Sequence, residues 1–159
     1  VRAAAYTHNL PFNIVRSCNN FGPRQSMRNF IPLSIKNILQ GTEMGIYGQG
    51  AEIREWIYVD DCIDAIMKVL SDGKDGEVYN IGTGYEMSNL EMFQMIANTI
   101  GKGHDLIKFV PNRKGHDFRY SLKVDKLRGL GWIPNVKLKQ GLQQSANWYN
   151  NNKWYLGGI

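Results

Sequence analysis

Residues 53–82, IREWIYVDDCIDAIMKVLSDGKDGEVYNIG, pass from a β-rich run through a helical one into a second β-rich run. In IREWIYV successive side chains point to opposite faces, so Arg54, Trp56 and Tyr58 share one face and Ile53, Glu55 and Ile57 the other. Asp60 or Asp61 is placed to cap a helix that runs to about Leu70, with Ile63, Ile66, Met67 and Leu70 as its apolar face. Gly73 to Gly76 form a loop, and EVYNIG is a strand closed by Gly82-Thr83-Gly84. Strands alternating with helices argue for an α/β fold with parallel pairing.

The same alternation extends outward. Upstream, FNIVRSC from Phe12 reads as a short strand that stops at Asn19-Asn20 and Gly22-Pro23. Phe30, Ile31, Leu33, Ile35, Ile38 and Leu39 fit a buried helical face, ended by Gly41. GIY (45–47) and EIREWIYV (52–59) read as a hairpin around Gly48-Gln49-Gly50-Ala51. Downstream, Ser88 and Glu91 form a capping box. It opens a helix carrying Leu90, Phe93, Ile96, Ala97 and Ile100 that ends near Gly101. IKFV (107–110) is a strand, and 124–130 and 138–150 are helices. Residues 151–159 are expected to fray. The opening VRAAAYTHNL reads as the end of a helix, so an upstream part is expected to be missing.

The 159 residues suffice for one domain with a core, and 43% hydrophobic with 21% charged residues is an ordinary globular composition. No apolar run is long enough to span a bilayer, and residues 1–10 lack a secretory apolar region, so a cytoplasmic protein without a membrane partner is expected. Cys18 and Cys62 have neither metal-ligand spacing nor a pairing pattern and read as reduced thiols. The net charge of +5 fits either an anionic partner or a plainly basic surface. With no block of five like charges, a nucleic-acid partner is not expected.

Four stretches carry polar groups where local structure exposes them. Cys18-Asn19-Asn20-Phe21-Gly22-Pro23 follows a strand, and ligands bind beyond the C-terminal ends of strands in open α/β sheets; the plain alternative is a turn. Arg54, Trp56 and Tyr58, with Tyr47 across the hairpin, offer a guanidinium to phosphate oxygens; the plain alternative is an amphipathic edge strand. Asn80 lies in a strand, where asparagine is depleted, and needs a partner if buried. Arg113-Lys114-Gly115-His116-Asp117-Phe118-Arg119-Tyr120 places five ionisable residues around a glycine, as a diphosphate-gripping loop or as a solvated one.

Taken in order, CNNFGP, GIYGQG, IREWIYVDD, EVYNIG, RKGHDFRY and LGWIP resemble the C-terminal half of the extended short-chain dehydrogenase/reductase family. Within it they are most similar to the dTDP-glucose 4,6-dehydratases. REWIYVDD, YNIG and LGW are shared widely among nucleotide-sugar epimerases, decarboxylases and dehydratases, whereas NNFGP with KGHDFRY is more specific. The likeness covers residues 10–148. It implies the last strands of an extended Rossmann-type fold plus a small substrate-binding domain. On that reading, 1–42 and 60–84 belong to the NAD-binding Rossmann domain, 43–59 and 85–150 to the substrate-binding domain, and 151–159 to a tail.

The resemblance also implies roles. Asn19 meets the diphosphate or sugar of a dTDP-sugar, and Asn20 lies beside the nicotinamide end of NAD. Asn29 and Phe30 meet the nucleotide, Gly45, Ile46 and Tyr47 hold its base, and Arg54 pairs with the diphosphate. Asn80 contacts the nucleotide, and His116, Asp117, Arg119 and Tyr120 close over diphosphate and sugar. This chain departs from the family pattern at Asn29, where lysine is common, and at Gly45 and Lys114, where proline is common. Phe21 stands where tyrosine is common.

The family's reaction oxidises C4 of the glucose by hydride transfer to NAD, eliminates water across C5–C6 and returns hydride to C6. The glycine-rich NAD fingerprint, Tyr-x-x-x-Lys pair and Thr-Asp-Glu set that do this are expected upstream of Val1. No catalytic residue or metal site is therefore expected here, and the chain alone is expected to be inactive. A homodimer is expected for the full-length form, and self-association of the fragment through the free edge of PFNIVRS (11–17). The competing readings are a UDP-sugar epimerase or UDP-glucuronate decarboxylase fragment, and a non-catalytic binding or assembly module.

Overall fold

The computed structural model describes residues 1–157 of the chain. After a short helix α1 (Arg2–His8), β1 (Ile14–Ser17) pairs in parallel with β5 (Val78–Ile81), from Ile14 opposite Val78 to Ser17 opposite Ile81. The chain does not turn at Asn19. It continues as β2 (Asn19–Phe21) and changes partner to β4 (Ile53–Tyr58), Asn19 facing Trp56. Cys18 is the point of change, its amide donating to the Ile81 carbonyl at 2.9 Å. The N-terminal half of β4 carries two further neighbours, β6 (Glu86–Ser88) antiparallel and β8 (Arg119–Tyr120) parallel. A separate parallel pair is β3 (Met44–Tyr47) with β7 (Ile107–Val110). The α/β fold with parallel pairing read from the sequence is the one observed.

The expected hairpin is not there, since β3 and β4 do not pair. The linker between them bends away at Gly48 and Gly50, with φ of 54° and 71°. Its carbonyls at Gly50 and Glu52 accept from Leu90 and Asn89, each at 3.0 Å. These are the first amides of α4 (Asn89–Ile100), which a helix leaves without internal partners. A Cβ on Gly50 would lie 2.8 Å from Ile46 Cγ2 and 2.9 Å from Leu90 Cβ, so the linker packs too closely for any other residue. The capping box of Ser88 and Glu91 opens α4, as the sequence reading had it.

Two cores flank β4. On one side α2 (Phe30–Gln40), α4 and α6 (Leu138–Asn151) enclose Ile31, Ile35, Phe93 and Tyr149 against Phe21, Trp56 and Tyr58. On the other, α3 (Val59–Asp72) and α5 (Asp125–Gly129) enclose Cys62, Ala65, Val69 and Leu127 against Ile57 and Ile81. With both faces buried and neighbours along its length, β4 is the centre of the molecule rather than an amphipathic edge strand.

Helix α3 is rotated relative to its expected orientation. Its buried residues are Asp61, Cys62, Ala65 and Val69, while Ile63, Met67 and Leu70 are 52%, 56% and 73% exposed. No side chain caps its start. The buried Asp61 carboxylate instead accepts from the amides of Asn135 at 3.0 Å and Val136 at 2.9 Å. Two charge-assisted bonds at one end of the helix set its rotation, and the longer apolar side chains turn outward. The expected frayed tail is also different. Helix α7 (Lys153–Leu156) buries Leu156, and the Tyr155 hydroxyl donates to the Arg24 carbonyl at 2.6 Å. The rest of that tail, residues 158 and 159, lies outside the described residues.

Glu55 is fully buried in β4. Its Oε1 accepts from the Gly84 amide at 2.7 Å and its Oε2 from the Leu122 amide at 2.9 Å. A Cβ on Gly82 would come within 2.3 Å of Oε1, so only glycine fits there. Glu55→Gln turns one acceptor into a donor that faces a backbone N–H. Chemical denaturation is expected to show a loss of about 2–4 kcal/mol; an unchanged midpoint and slope would contradict this role.

Candidate functional site

Two adjoining cavities open where the β1–β2 segment leaves β5 for β4. A strand-order change of this kind leaves a crevice at strand ends, the usual ligand position in α/β sheets. The larger cavity encloses about 500 Å³. Asn19 reaches it from β2, Phe30 from the first turn of α2, and Gly45, Ile46 and Tyr47 from β3. Arg54 comes from β4 and His116 from the loop before β8. The structure thus brings together seven of the residues singled out in the sequence.

The chemistry of the lining is one-sided. Arg28 and Arg54 line the cavity, and no carboxylate does. The Arg54 guanidinium is steered by neutral acceptors, donating to the carbonyls of Ile53 and Asp117, each at 2.8 Å. Its positive charge therefore remains uncompensated by those contacts. The lining also has apolar and aromatic walls: Phe30 packs on Trp56 with ring centroids 6.1 Å apart, and Met44, Ile46 and Val110 add to the surface. Tyr47 meets the His116 ring edge-on at 5.9 Å. Cations together with flat apolar surface in one cavity suit a ligand with an anionic group and a planar ring.

Arg28, Asn37, Asn89 and Val110 also line this cavity and were not singled out in the sequence. A signal existed for Asn37: Phe30, Leu33 and Asn37 follow one helical face of α2. Arg28 lies in the loop before α2, where no periodicity points to it. It supplies a cation next to Asn29, the position where the family pattern often has lysine.

The second cavity, about 380 Å³, shares Asn19, Phe30 and Trp56 with the first and adds Cys18, Asn20, Gln25 and Asn29. Asn20 Nδ2 donates to Ser17 Oγ at 2.9 Å, and Gln25 Nε2 donates to the Asn20 carbonyl at 2.7 Å. The acceptors Asn20 Oδ1 and Gln25 Oε1 are buried, and no donor among the described residues reaches them. Unmatched amide acceptors suit a ligand that brings amide N–H groups, which the nicotinamide carboxamide of NAD does.

Asn80, Asp117, Arg119 and Tyr120 line neither of these cavities. Asn80 Nδ2 donates to the Lys123 carbonyl at 2.9 Å and so ties β5 to the segment after β8. Arg119 grips Glu86 bidentately, Nε at 2.7 Å and Nη2 at 2.6 Å. That hydrogen-bonded pairing lowers the Glu86 carboxyl below its ordinary range and raises Arg119. Asp117 acts through its backbone on Arg54, and Tyr120 is half-exposed in β8.

The spacing Tyr-x-x-x-Lys does occur once in the chain, at Tyr149 and Lys153, which corrects the expectation that it lies only upstream. These two residues are not a catalytic pair. Tyr149 is fully buried in the α6 core, and its hydroxyl bonds to the carbonyls of Gly22 at 3.1 Å and Gln25 at 3.2 Å. Burial pushes the phenol above its ordinary value. Its place is structural, pinning the loop that carries Gln25. Among the described residues no cluster of three metal-ligating side chains occurs, and no helix is long and apolar enough to cross a membrane.

Fold and cavities together describe an α/β unit of largely parallel strand pairs with a crevice beside a strand change. Residues 1–82 match the NAD dependent epimerase/dehydratase family, and the chain belongs to that family. It is 45% identical over 149 residues to the low-salt glycan biosynthesis protein Agl12 of Haloferax volcanii, covering 94% of this chain and 48% of that protein. It is 42% identical over 151 residues to a dTDP-glucose 4,6-dehydratase of Streptomyces niveus, covering 94% of this chain and 45% of that one. The crystal structure of DesIV, a dTDP-glucose 4,6-dehydratase from Streptomyces venezuelae with NAD bound, superposes with a TM-score of 0.91 at 40% identity. That match covers 97% of this chain and 48% of DesIV. The chain spans about half the length of the curated relatives it matches.

Cys18 lies at the strand change and lines the second cavity, yet its thiol is held in the neutral form. Burial is the main cause, and the nearby Glu55 carboxylate and Cys62 add to it. Thiol reagents at pH 8 are expected to modify Cys18 more than about tenfold more slowly in the folded chain than in denaturant. The unfolded thiol ionises near its ordinary value of 9.0 while the folded one stays protonated. Stability is therefore fully present below that pH and is lost as pH rises above it, with a slope of about 1.4 kcal/mol per unit from this group. A flat stability profile across that window, or equal reactivity in both states, would contradict the assignment.

Proposed function

We propose that this chain is the nucleotide-sugar-binding portion of a dTDP-glucose 4,6-dehydratase, which converts dTDP-glucose to dTDP-4-keto-6-deoxyglucose with bound NAD. The single observation that carries the reading is the larger cavity, with two arginines, a histidine, aromatic walls and no carboxylate. A diphosphate satisfies the cations and a thymine ring the apolar walls. On this reading Arg54 and Arg28 take the diphosphate, with Asn19 beside the sugar. Gly45, Ile46 and Tyr47 hold the base, and Asn29 and Phe30 meet the nucleotide. His116, Asp117, Arg119 and Tyr120 close the site from the loop side, and Asn80 supports that loop. Asn20, with Gln25, sits at the nicotinamide end of NAD.

The division of the chain follows the same logic. Residues 1–42 and 60–84 belong with a Rossmann unit, and 43–59 with 85–150 form the substrate-binding part. No glycine-rich NAD fingerprint occurs in these 159 residues, and the one Tyr-x-x-x-Lys is buried structure, so the chain alone is proposed to be inactive. The exposed stripe of Ile63, Met67 and Leu70 and the edge of β1 that is unpaired among the described residues support self-association of the chain and a homodimer in the longer protein. The longer protein is placed in the cytoplasm on the reading of Cys18 and Cys62 as reduced thiols.

Calorimetric titration of the 159-residue chain with dTDP and UDP tests the reading. Selective dTDP binding, weakened about tenfold or more by Arg54→Ala, is expected, with no turnover of dTDP-glucose. Preference for UDP would favour a UDP-sugar epimerase or decarboxylase instead. Turnover by the chain alone would contradict its proposed inactivity.

A further inference from the structure

The larger cavity is flanked by a carboxylate that no role described so far uses. Glu52, on the linker into β4, is 5% exposed. Its Oε2 has no hydrogen-bond donor among the described residues, and the same holds for a partner to the buried Nδ1 of His116. The carboxylate and the ring face one another, the other carboxylate oxygen, Glu52 Oε1, lying 3.7 Å from His116 Nδ1. A buried carboxylate without a donor is costly, so the pair gains from closing the remaining gap to hydrogen-bond distance.

The surroundings leave room for only a small movement. Just after His116, the loop is tied to β4 twice: the Phe118 carbonyl accepts from the Ile53 amide and the Asp117 carbonyl from Arg54 Nη2, each at 2.8 Å. The ring itself rests edge-on against Tyr47. His116 thus sits one residue before the carbonyl that steers the Arg54 guanidinium.

We propose that Glu52 is a positioning residue for this cavity. Its carboxylate accepts a hydrogen bond from His116 Nδ1–H and so turns Nε2–H toward the anionic part of the ligand. With the Glu52 carboxylate at Nδ1 and the anionic group of the ligand at Nε2, the ring has an acceptor at each nitrogen. The proposal rests on the reading of the cavity as a nucleoside diphosphate site and adds to it a residue that touches His116 rather than the ligand.

Two measurements on the 159-residue chain test it. Long-range ¹⁵N–¹H spectra of the imidazoles, recorded without ligand at neutral pH, are expected to show His116 protonated at Nδ1. That proton should shift to a mixture of both nitrogens in Glu52→Met, which removes the acceptor at similar length. A wild-type ring bare at Nδ1, or identical spectra in the variant, overturns the proposal. This arm needs no nucleotide, so it decides the pair even if dTDP fails to bind and the nucleotide reading falls. The second arm is a double-mutant cycle in dTDP affinity. Glu52→Met and His116→Ala should each weaken binding about tenfold, and the double variant should bind no more weakly than either. Additive losses would assign Glu52 an independent structural role and overturn the coupling.

Discussion

The Glu55 carboxylate, without exposed surface at the centre of β4, binds the amides of Gly84 and Leu122, which belong to segments far apart in the chain. One of these follows β5 and the other follows β8. Because β5 also carries β1, this one side chain fixes the relation between the β1–β5 pair and the strands around β4. Both cavities open beside β2 and β4, just past the strand change at Cys18. Glycine at 82 is needed because the carboxylate occupies the space of a Cβ there, and the Thr83 hydroxyl adds a bond to the Trp56 carbonyl at 2.9 Å. Nearby, Cys18 is kept neutral by burial and by the same carboxylate. The strand arrangement beside the cavities is thus tied to a buried carboxylate that backbone amides satisfy.

Asp61 repeats the device at the start of α3. In both places a carboxylate is buried on backbone amides, and for Asp61 this replaces the helix cap expected from the sequence. These two carboxylates are committed inside the protein, and none lines the larger cavity. The arginines that do line it keep their charge for a ligand. Arg54 shows how this is arranged, since its two steering partners are carbonyls and leave its charge uncancelled.

Much of this was legible in the sequence where local rules dominate. The α/β alternation, the Ser88–Glu91 capping box and the Gly41 helix end each follow from short-range chemistry that tertiary contacts do not overrule. Seven of the residues named from sequence meet in one cavity because they lie at strand ends or helix starts, which topology places at the crevice. What was not legible depends on long-range partners. The rotation of α3 is set by Asn135 and Val136, more than seventy residues from Asp61. The false hairpin of β3 and β4 looked right from its glycines, yet the linker binds the start of α4 instead. Strands of two or three residues such as β2, β6 and β8 carry too little alternation to be seen. Arg28 lies in a loop, where no periodicity marks it, and Glu52, read as the first residue of a strand, sits in the linker before β4.

Amide chemical-shift mapping of the ¹⁵N-labelled chain with dTDP most directly tests whether the carboxylate-free cavity at the strand change is the nucleotide site. The predicted result is a saturable perturbation concentrated at Phe30, Ile46, Tyr47, Arg54 and His116, from α2, β3, β4 and the loop before β8. Shifts that spare these residues and gather on the exposed face of α3, or that scatter over the basic surface, would contradict it.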